Sequence, residues 1–160
     1  SESLKDLIHN VPMVVYYFFL KKDMISKRTY THNFDQDDLI FRSSCPGIYG
    51  NQFNGNDLTY VCFEVPIDRD SAIWKNPEKY SSQIWKEAIN MQQVYGEEPK
   101  DIHILKTPVS FKPVKVGFSK RFQKFKLDIK KNYNNFFISN PALYSKIQIA
   151  DEITQMIESL

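Results

Sequence analysis

Short apolar runs separated by turn residues fill the first half of the chain, a pattern that predicts an antiparallel sheet. The longest run, residues 13–20, is mostly β-branched or aromatic, which is typical of a strand buried on both faces. We expect it to be the central strand, preceded by a short helix over residues 3–10. Its eight residues are too few for a membrane helix, which needs about 20. Further strands are predicted at residues 28–34, 39–42 and 57–65.

A strong helical pattern follows at residues 77–95. The pair Asn76-Pro77 is a typical N-cap and first-turn combination, and Gly96 suits the position just after a helix. Two more strands are predicted behind this helix, at residues 101–105 and 114–118, separated by prolines.

Two amphipathic helices are predicted in the last third of the chain. Residues 119–133, with Ser119 as the expected cap, and residues 142–159, which follow Asn140-Pro141, both carry apolar positions at intervals of three and four. The apolar stripe of the first of these helices consists of Phe118, Phe122, Phe125, Ile129, Tyr133 and Phe136.

Together these elements predict an α+β fold, in which an antiparallel sheet of four to six strands packs against two main helices, residues 77–95 and 142–159. The length of 160 residues is usual for one domain, so we expect a single globular domain over residues 1–160. The chain begins with Ser1, and we therefore expect it to be one domain of a longer protein.

Composition limits the class of protein. Hydrophobic residues make up 42% and charged residues 25%, which argues against disorder. Cys45 and Cys62 are the only cysteines, too few for a disulfide framework, although a single bridge between them stays open. This cysteine usage and the lack of a secretory leader pattern lead us to expect an intracellular protein, cytoplasmic or nuclear.

The motifs of common catalytic sites are missing from the sequence. Its five glycines form neither a dinucleotide-binding nor a phosphate-binding loop. The three histidines are scattered, and the acidic stretch 35–38 lacks the glycine and later ligands of a calcium loop. We therefore expect no cofactor and no bound metal, and a non-catalytic domain rather than an enzyme.

The charge distribution is strongly asymmetric. The segment from residue 102 to 146 holds nine lysines and Arg121 but only one acid, Asp128, whereas the rest of the chain holds eleven basic and eighteen acidic residues. Such a split indicates a basic surface on a chain whose net charge is only +2.

Lysines next to aromatic residues are typical of domains that bind single-stranded nucleic acid. We predict such binding without sequence specificity, since lysine is a poorer reader of base edges than arginine. Helical spacing places Lys120, Lys124 and Lys131 opposite the apolar stripe, while Lys112 and Lys115 lie on the predicted strand that leads into the helix. The candidate contacts are Lys112, Lys115, Lys120, Arg121, Lys124 and Lys131.

Three alternatives remain at this point. The same basic face could dock an acidic protein or an anionic membrane, with Leu127 as a candidate partner contact because it falls on the same outward side. The lysines could also be a solvated surface without a partner.

Finally, Asp101, Asp128 and Lys130 are the residue types of a divalent-metal nuclease, but Asp128 and Lys130 would diverge by about 200° in a helix.

Overall fold

In the computed structural model of the chain, the described residues are 4–48 and 57–133. The predicted helix 142–159, its Asn140-Pro141 start and most of the loop before residue 57 lie outside this part. Val11–Ser110 forms one compact unit, and the described residues 4–10 and 111–133 belong to a second one.

The first unit is built on one antiparallel sheet, so the predicted α+β class and strand number are confirmed. The strand order is β2-β3-β4-β1-β5. The strands are β1 (Val11–Lys21), β2 (Tyr30–His32), β3 (Arg42–Ser44), β4 (Leu58–Pro66) and β5 (Ile102–Phe111).

Strand β1 lies inside the sheet, between β4 and β5, while β4 occupies the middle position. Tyr16 of β1 is directly opposite Phe63 of β4. Tyr16 and Phe18 are fully buried on one sheet face, whereas Tyr17 and Phe19 are only partly buried on the other. The prediction of burial on both faces is therefore correct for the first of these faces and only partly correct for the second.

The helical layer covers the first sheet face. It consists of α1 (Ala72–Lys75), a 3-10 turn (Pro77–Tyr80) and α2 (Ser81–Asn90). Ile84 and Trp85 of α2 are buried in one hydrophobic cluster with Phe18 of β1. Tyr16 of β1 links the sheet to this helical layer, because its hydroxyl donates to the carbonyl oxygen of Pro77 at 2.9 Å.

The predicted helix over residues 77–95 is shorter and differently capped in the structure. Asn76 makes no side-chain cap hydrogen bond, and a preceding helix, α1, is capped instead by Ser71, whose hydroxyl accepts from the Trp74 amide at 3.1 Å. Helix α2 ends at Asn90, after which Gln92 adopts a left-handed φ of 56°. The chain therefore leaves the helix before Gly96 is reached.

The second unit contains the 3-10 helix Leu4–Leu7 and the long helix α3 (Phe118–Asn132). Leu7 packs against the buried rings of Phe118 and Phe122. Two backbone hydrogen bonds hold the N-terminal segment beside the segment that leads into α3, from the His9 amide to the Pro113 carbonyl at 2.9 Å and from the Lys115 amide to the Leu7 carbonyl at 2.8 Å.

Several predicted boundaries are wrong. Residues 114–118 are not a strand, since Val114 makes only an isolated bridge and α3 begins at Phe118. The N-cap of α3 is Gly117, at φ 91°, rather than Ser119. The opening helix is limited to one 3-10 segment, and the strand predicted at 39–42 lies at Arg42–Ser44.

Candidate functional site

The six predicted basic contacts, which we call the basic face, are all exposed. Helix α3 turns Phe118 and Phe122 inward, and because successive residues advance by about 100°, Lys120, Lys124 and Lys131 point about 120–160° away from Phe118. Arg121 points only about 60° away from Phe118, and Lys112 and Lys115 precede the helix. The exposed side chains are Lys112, Lys115, Lys120, Arg121, Lys124 and Lys131.

Lys126 belongs to the same basic segment but has a different position. Its Nζ atom lies 5.4 Å from the centre of the Phe122 ring, and its side chain is half-buried. A cation over an aromatic face is stabilised by the ring quadrupole. Lys126 therefore covers the edge of the small apolar cluster of α3 rather than extending the basic face.

Leu127 is on the outward side of α3, as the helical spacing predicts. It is 60% exposed and lies about 180° around the helix from Phe118. Phe125 and Tyr133 are also exposed, but their positions fall within about 60° of the Phe118 direction. An aliphatic side chain is thus placed among the lysines of the basic face.

Two residues of the nuclease alternative point to different sides of one helix. Asp128 and Lys130 both lie in α3, so their side chains diverge as expected for a helix. No three His, Cys, Asp or Glu side chains come together within residues 4–48 and 57–133.

A feature of the sheet was missed by the sequence analysis. On the face opposite α2, which we call the second face, an apolar depression of about 190 Å³ is lined by Tyr17, Phe19, Tyr60, His103 and Leu105. The Tyr17 ring lies 6.1 Å from the Tyr60 ring and 6.2 Å from the His103 ring, measured between centroids. Burial raises the pKa of Tyr17 above its ordinary value, which keeps its phenol protonated.

This site could have been found only in part from the sequence. The alternation within residues 13–20 places Tyr17 and Phe19 on one side of β1. Tyr60 and His103 join them through the pairing of β1 with β4 and β5, and that register was not predicted.

A polar cluster lies on the same sheet face, across β2, β3 and β4. Arg42 pairs with the carboxylate of Glu64 and donates to the Tyr30 hydroxyl at 3.1 Å. The Tyr30 hydroxyl also lies 2.9 Å from Nε2 of His32. The hydrogen bond to Glu64 is the largest cause of a raised pKa for Arg42. Because Glu64 neutralises Arg42 locally, we interpret the cluster as a link between strands.

Both cysteines are free and buried. Burial is the main reason why the pKa of each thiol is raised, to about 11 for Cys45 and about 11 for Cys62. The thiolate is the reactive form of cysteine, so neither residue has the properties of a nucleophile near neutral pH.

Among the helices in residues 4–48 and 57–133, none has both the length and the apolar character needed to span a bilayer.

No protein-family model matches this chain, and no curated protein matches it in sequence. Its fold is similar to that of a solved structure named "Putative protoporphyrinogen oxidase" from Exiguobacterium sp. 255-15, with a TM-score of 0.60 and 14% sequence identity. The match covers 95% of this chain but 35% of that chain, so the present chain corresponds to about a third of that protein. At this level of identity the similarity shows the fold alone.

Proposed function

We propose that this chain is a non-catalytic docking domain of a larger protein, and that its basic face binds a polyanionic partner. Nucleic acid bound without sequence specificity is the form of this function that the sequence favours, with an acidic protein or an anionic membrane as alternatives. The observation that carries the proposal is the simultaneous exposure of all six basic side chains.

The local charge supports this proposal. Four of the six residues lie within α3, whose single acid is Asp128, so the repulsion between the lysines is little compensated within the helix. A polyanion would relieve that repulsion and release its own counterions, which makes binding stronger at low salt. Lysine ammonium groups are flexible point charges, and this favours a partner recognised by its charge rather than by base edges.

A titration of fluorescently labelled single-stranded dT20 at several salt concentrations tests the proposal. The logarithm of the association constant should fall linearly with the logarithm of salt, with a slope of about −0.7 for each phosphate neutralised. The double variant Lys120→Glu/Lys124→Glu should weaken binding by at least about tenfold and make the slope shallower. Lys79→Glu/Lys86→Glu is the matched control, because both lysines are exposed on the other unit and the charge change is identical.

Lack of binding to dT20 at low salt would exclude nucleic acid as the partner. Equal weakening by the two double variants would show that only net charge matters, and the assignment of a basic face would then be wrong.

A second candidate function is favoured by the depression on the second face together with the fold similarity. Since that solved structure is named as a protoporphyrinogen oxidase and is much longer than this chain, the present domain could serve as the ligand-binding part of a larger oxidoreductase. Aromatic side chains around a shallow apolar site suit contact with one face of a flat, mostly apolar ring.

Binding of protoporphyrin IX, followed by its fluorescence, tests this second candidate. Replacing both Tyr60 and His103 with Ala should abolish saturable binding, whereas Tyr95→Ala should not, because Tyr95 is exposed and does not line the depression. Binding that both variants retain equally would exclude the second face as the ligand site.

A further inference from the structure

The position of Leu127 within the basic face indicates the class of partner. Leu127 lies opposite the inward side of α3, where Phe118 and Phe122 are buried against Leu7, and 60% of its surface is exposed. Among the described residues, the buried contacts of α3 are made from the opposite side of the helix.

The immediate neighbours of Leu127 form a ring of exposed polar side chains. On a helix, residues three and four positions apart are neighbours, about 5–6 Å between their Cβ atoms. These neighbours are Gln123, Lys124, Lys130 and Lys131, all of them exposed. Asp128 adjoins Leu127 in sequence but points about 100° away from it. The centre of this surface is therefore apolar and its border is positively charged.

We propose that the partner of the basic face is an acidic protein surface with an apolar pocket that receives Leu127. This proposal rests on the proposed docking function and specifies its partner. Protein interfaces combine an apolar centre, from which water is excluded, with a polar rim. Complementary charge at the rim speeds association and fixes orientation, so an acidic rim around the pocket would match the three lysines around Leu127.

The two other polyanions fit this arrangement less well. Single-stranded nucleic acid gains most of its non-electrostatic affinity from bases stacked on aromatic rings, and the aromatic residues of α3, Phe118, Phe122 and Phe125, do not point to the side of Leu127. A helix that lies on a bilayer needs a broad apolar face toward the lipid. In α3 that face is partly occupied, because Phe118 and Phe122 pack against Leu7, and on the opposite side Leu127 by itself provides too little apolar surface.

Four probes separate these partners: a 16-residue acidic peptide with Leu at helical spacing, the same peptide with Ser in place of Leu, single-stranded dT16, and phosphatidylserine vesicles. The wild-type domain should bind the Leu peptide about five- to tenfold more tightly than the Ser peptide. Leu127→Ala should remove this preference and leave binding of the Ser peptide and of dT16 unchanged.

Val116→Ala is the matched control, because Val116 is a fully exposed apolar residue of the same unit, outside α3, and it should keep the preference. Leu127→Gln provides a second variant that preserves helix propensity.

The possible outcomes are distinguishable. Salt-dependent binding with no preference for the Leu peptide, or a preference that survives both Leu127 variants, would overturn the acidic-protein inference while the docking function stands. A loss confined to dT16 or to vesicles would overturn it in favour of nucleic acid or membrane. If no probe binds in a salt-dependent manner, the docking function itself fails.

Discussion

Arg42 on β3 and Glu64 on β4 are direct register partners in the sheet, and the guanidinium of Arg42 donates to the Glu64 carboxylate. The side chain of Glu64 is 12% exposed and that of Arg42 29% exposed, so the ion pair is largely withdrawn from water. Arg42 also binds the Tyr30 hydroxyl of β2. A single side chain thus connects the short strands β2 and β3 to the long strand β4.

Replacing Arg42 with Met should lower the free energy of unfolding by roughly 1–3 kcal/mol, because it leaves a mostly buried carboxylate without its partner. The double variant Arg42→Met/Glu64→Gln should be more stable than the sum of the single effects predicts, since neither charge is then left alone. Urea denaturation of the wild type, both single variants and the double variant gives this coupling energy. If the effects of the two single variants simply add in the double variant, the ion pair contributes little to the free energy of unfolding.

Glu87 of α2 is a second buried carboxylate with a structural task. Its Oε2 atom accepts from the amides of Leu39 and Ile40 at 2.8 and 3.1 Å. Glu87→Ala should destabilise the domain by roughly 2–3 kcal/mol, because two amides lose their acceptor. Lys86→Ala, an exposed change on the same helix, should cost less than about 0.5 kcal/mol. Equal midpoints of urea unfolding for the two variants would contradict this interpretation.

Glu87 also explains one boundary error of the sequence analysis. The apolar pair Leu39 and Ile40 suggested a strand, but their amides bind a side chain more than 45 residues away, and β3 starts only at Arg42. A contact of this kind depends on tertiary structure and has no local signal. By contrast, β1 and β4 could be predicted closely, because long β-branched and aromatic runs are typical of strands in most contexts.

Pro108 illustrates another limit of sequence patterns. Proline usually interrupts a central strand, so the sequence suggested that the strand ends before it. In the structure β5 continues past Pro108 to Phe111, and this is possible because β5 lies at the edge of the sheet, where one side of the strand needs no donor. Whether a strand can continue through a proline therefore depends on its position in the strand order, which the local sequence does not show.

The two candidate sites also differ in how far they can be predicted from the sequence. Exposure of Lys120, Lys124 and Leu127 follows from the period of one helix, so it could be predicted from sequence. The depression around Tyr17, Tyr60 and His103 needs residues from three strands, and only their pairing brings them together.

Gln92 offers a test of backbone strain. It is exposed, adopts a φ of 56°, and ends the turn after α2. A non-glycine residue is disfavoured there by about 1–2 kcal/mol, so Gln92→Gly should stabilise the domain by roughly 0.5–1 kcal/mol after the greater flexibility of glycine in the unfolded chain is included. Gln92→Ala keeps the strain and should not stabilise. Thermal unfolding of both variants measures the difference, and a less stable Gln92→Gly protein would show that the side chain of Gln92 matters more than its φ.

The buried thiols should make the domain less stable in alkali. Burial raises the pKa of Cys45 and of Cys62 from 9.0 to about 11, so the protonated thiol is favoured in the folded state. Below pH 9 both states hold these protons and the stabilising contribution is complete. As the pH rises toward 11, the unfolded chain releases them first, and the free energy of unfolding should fall by about 1 kcal/mol per pH unit for each thiol.

Urea denaturation at pH 8.0, 9.0 and 10.0 measures this slope, which should be shallower in Cys62→Ala and shallowest in the double variant Cys45→Ala/Cys62→Ala. The comparison between variants isolates the thiols, because Tyr16, whose pKa is also raised by burial, is present in all of them. A double variant with the slope of the wild type would show that the thiols do not control stability in this range.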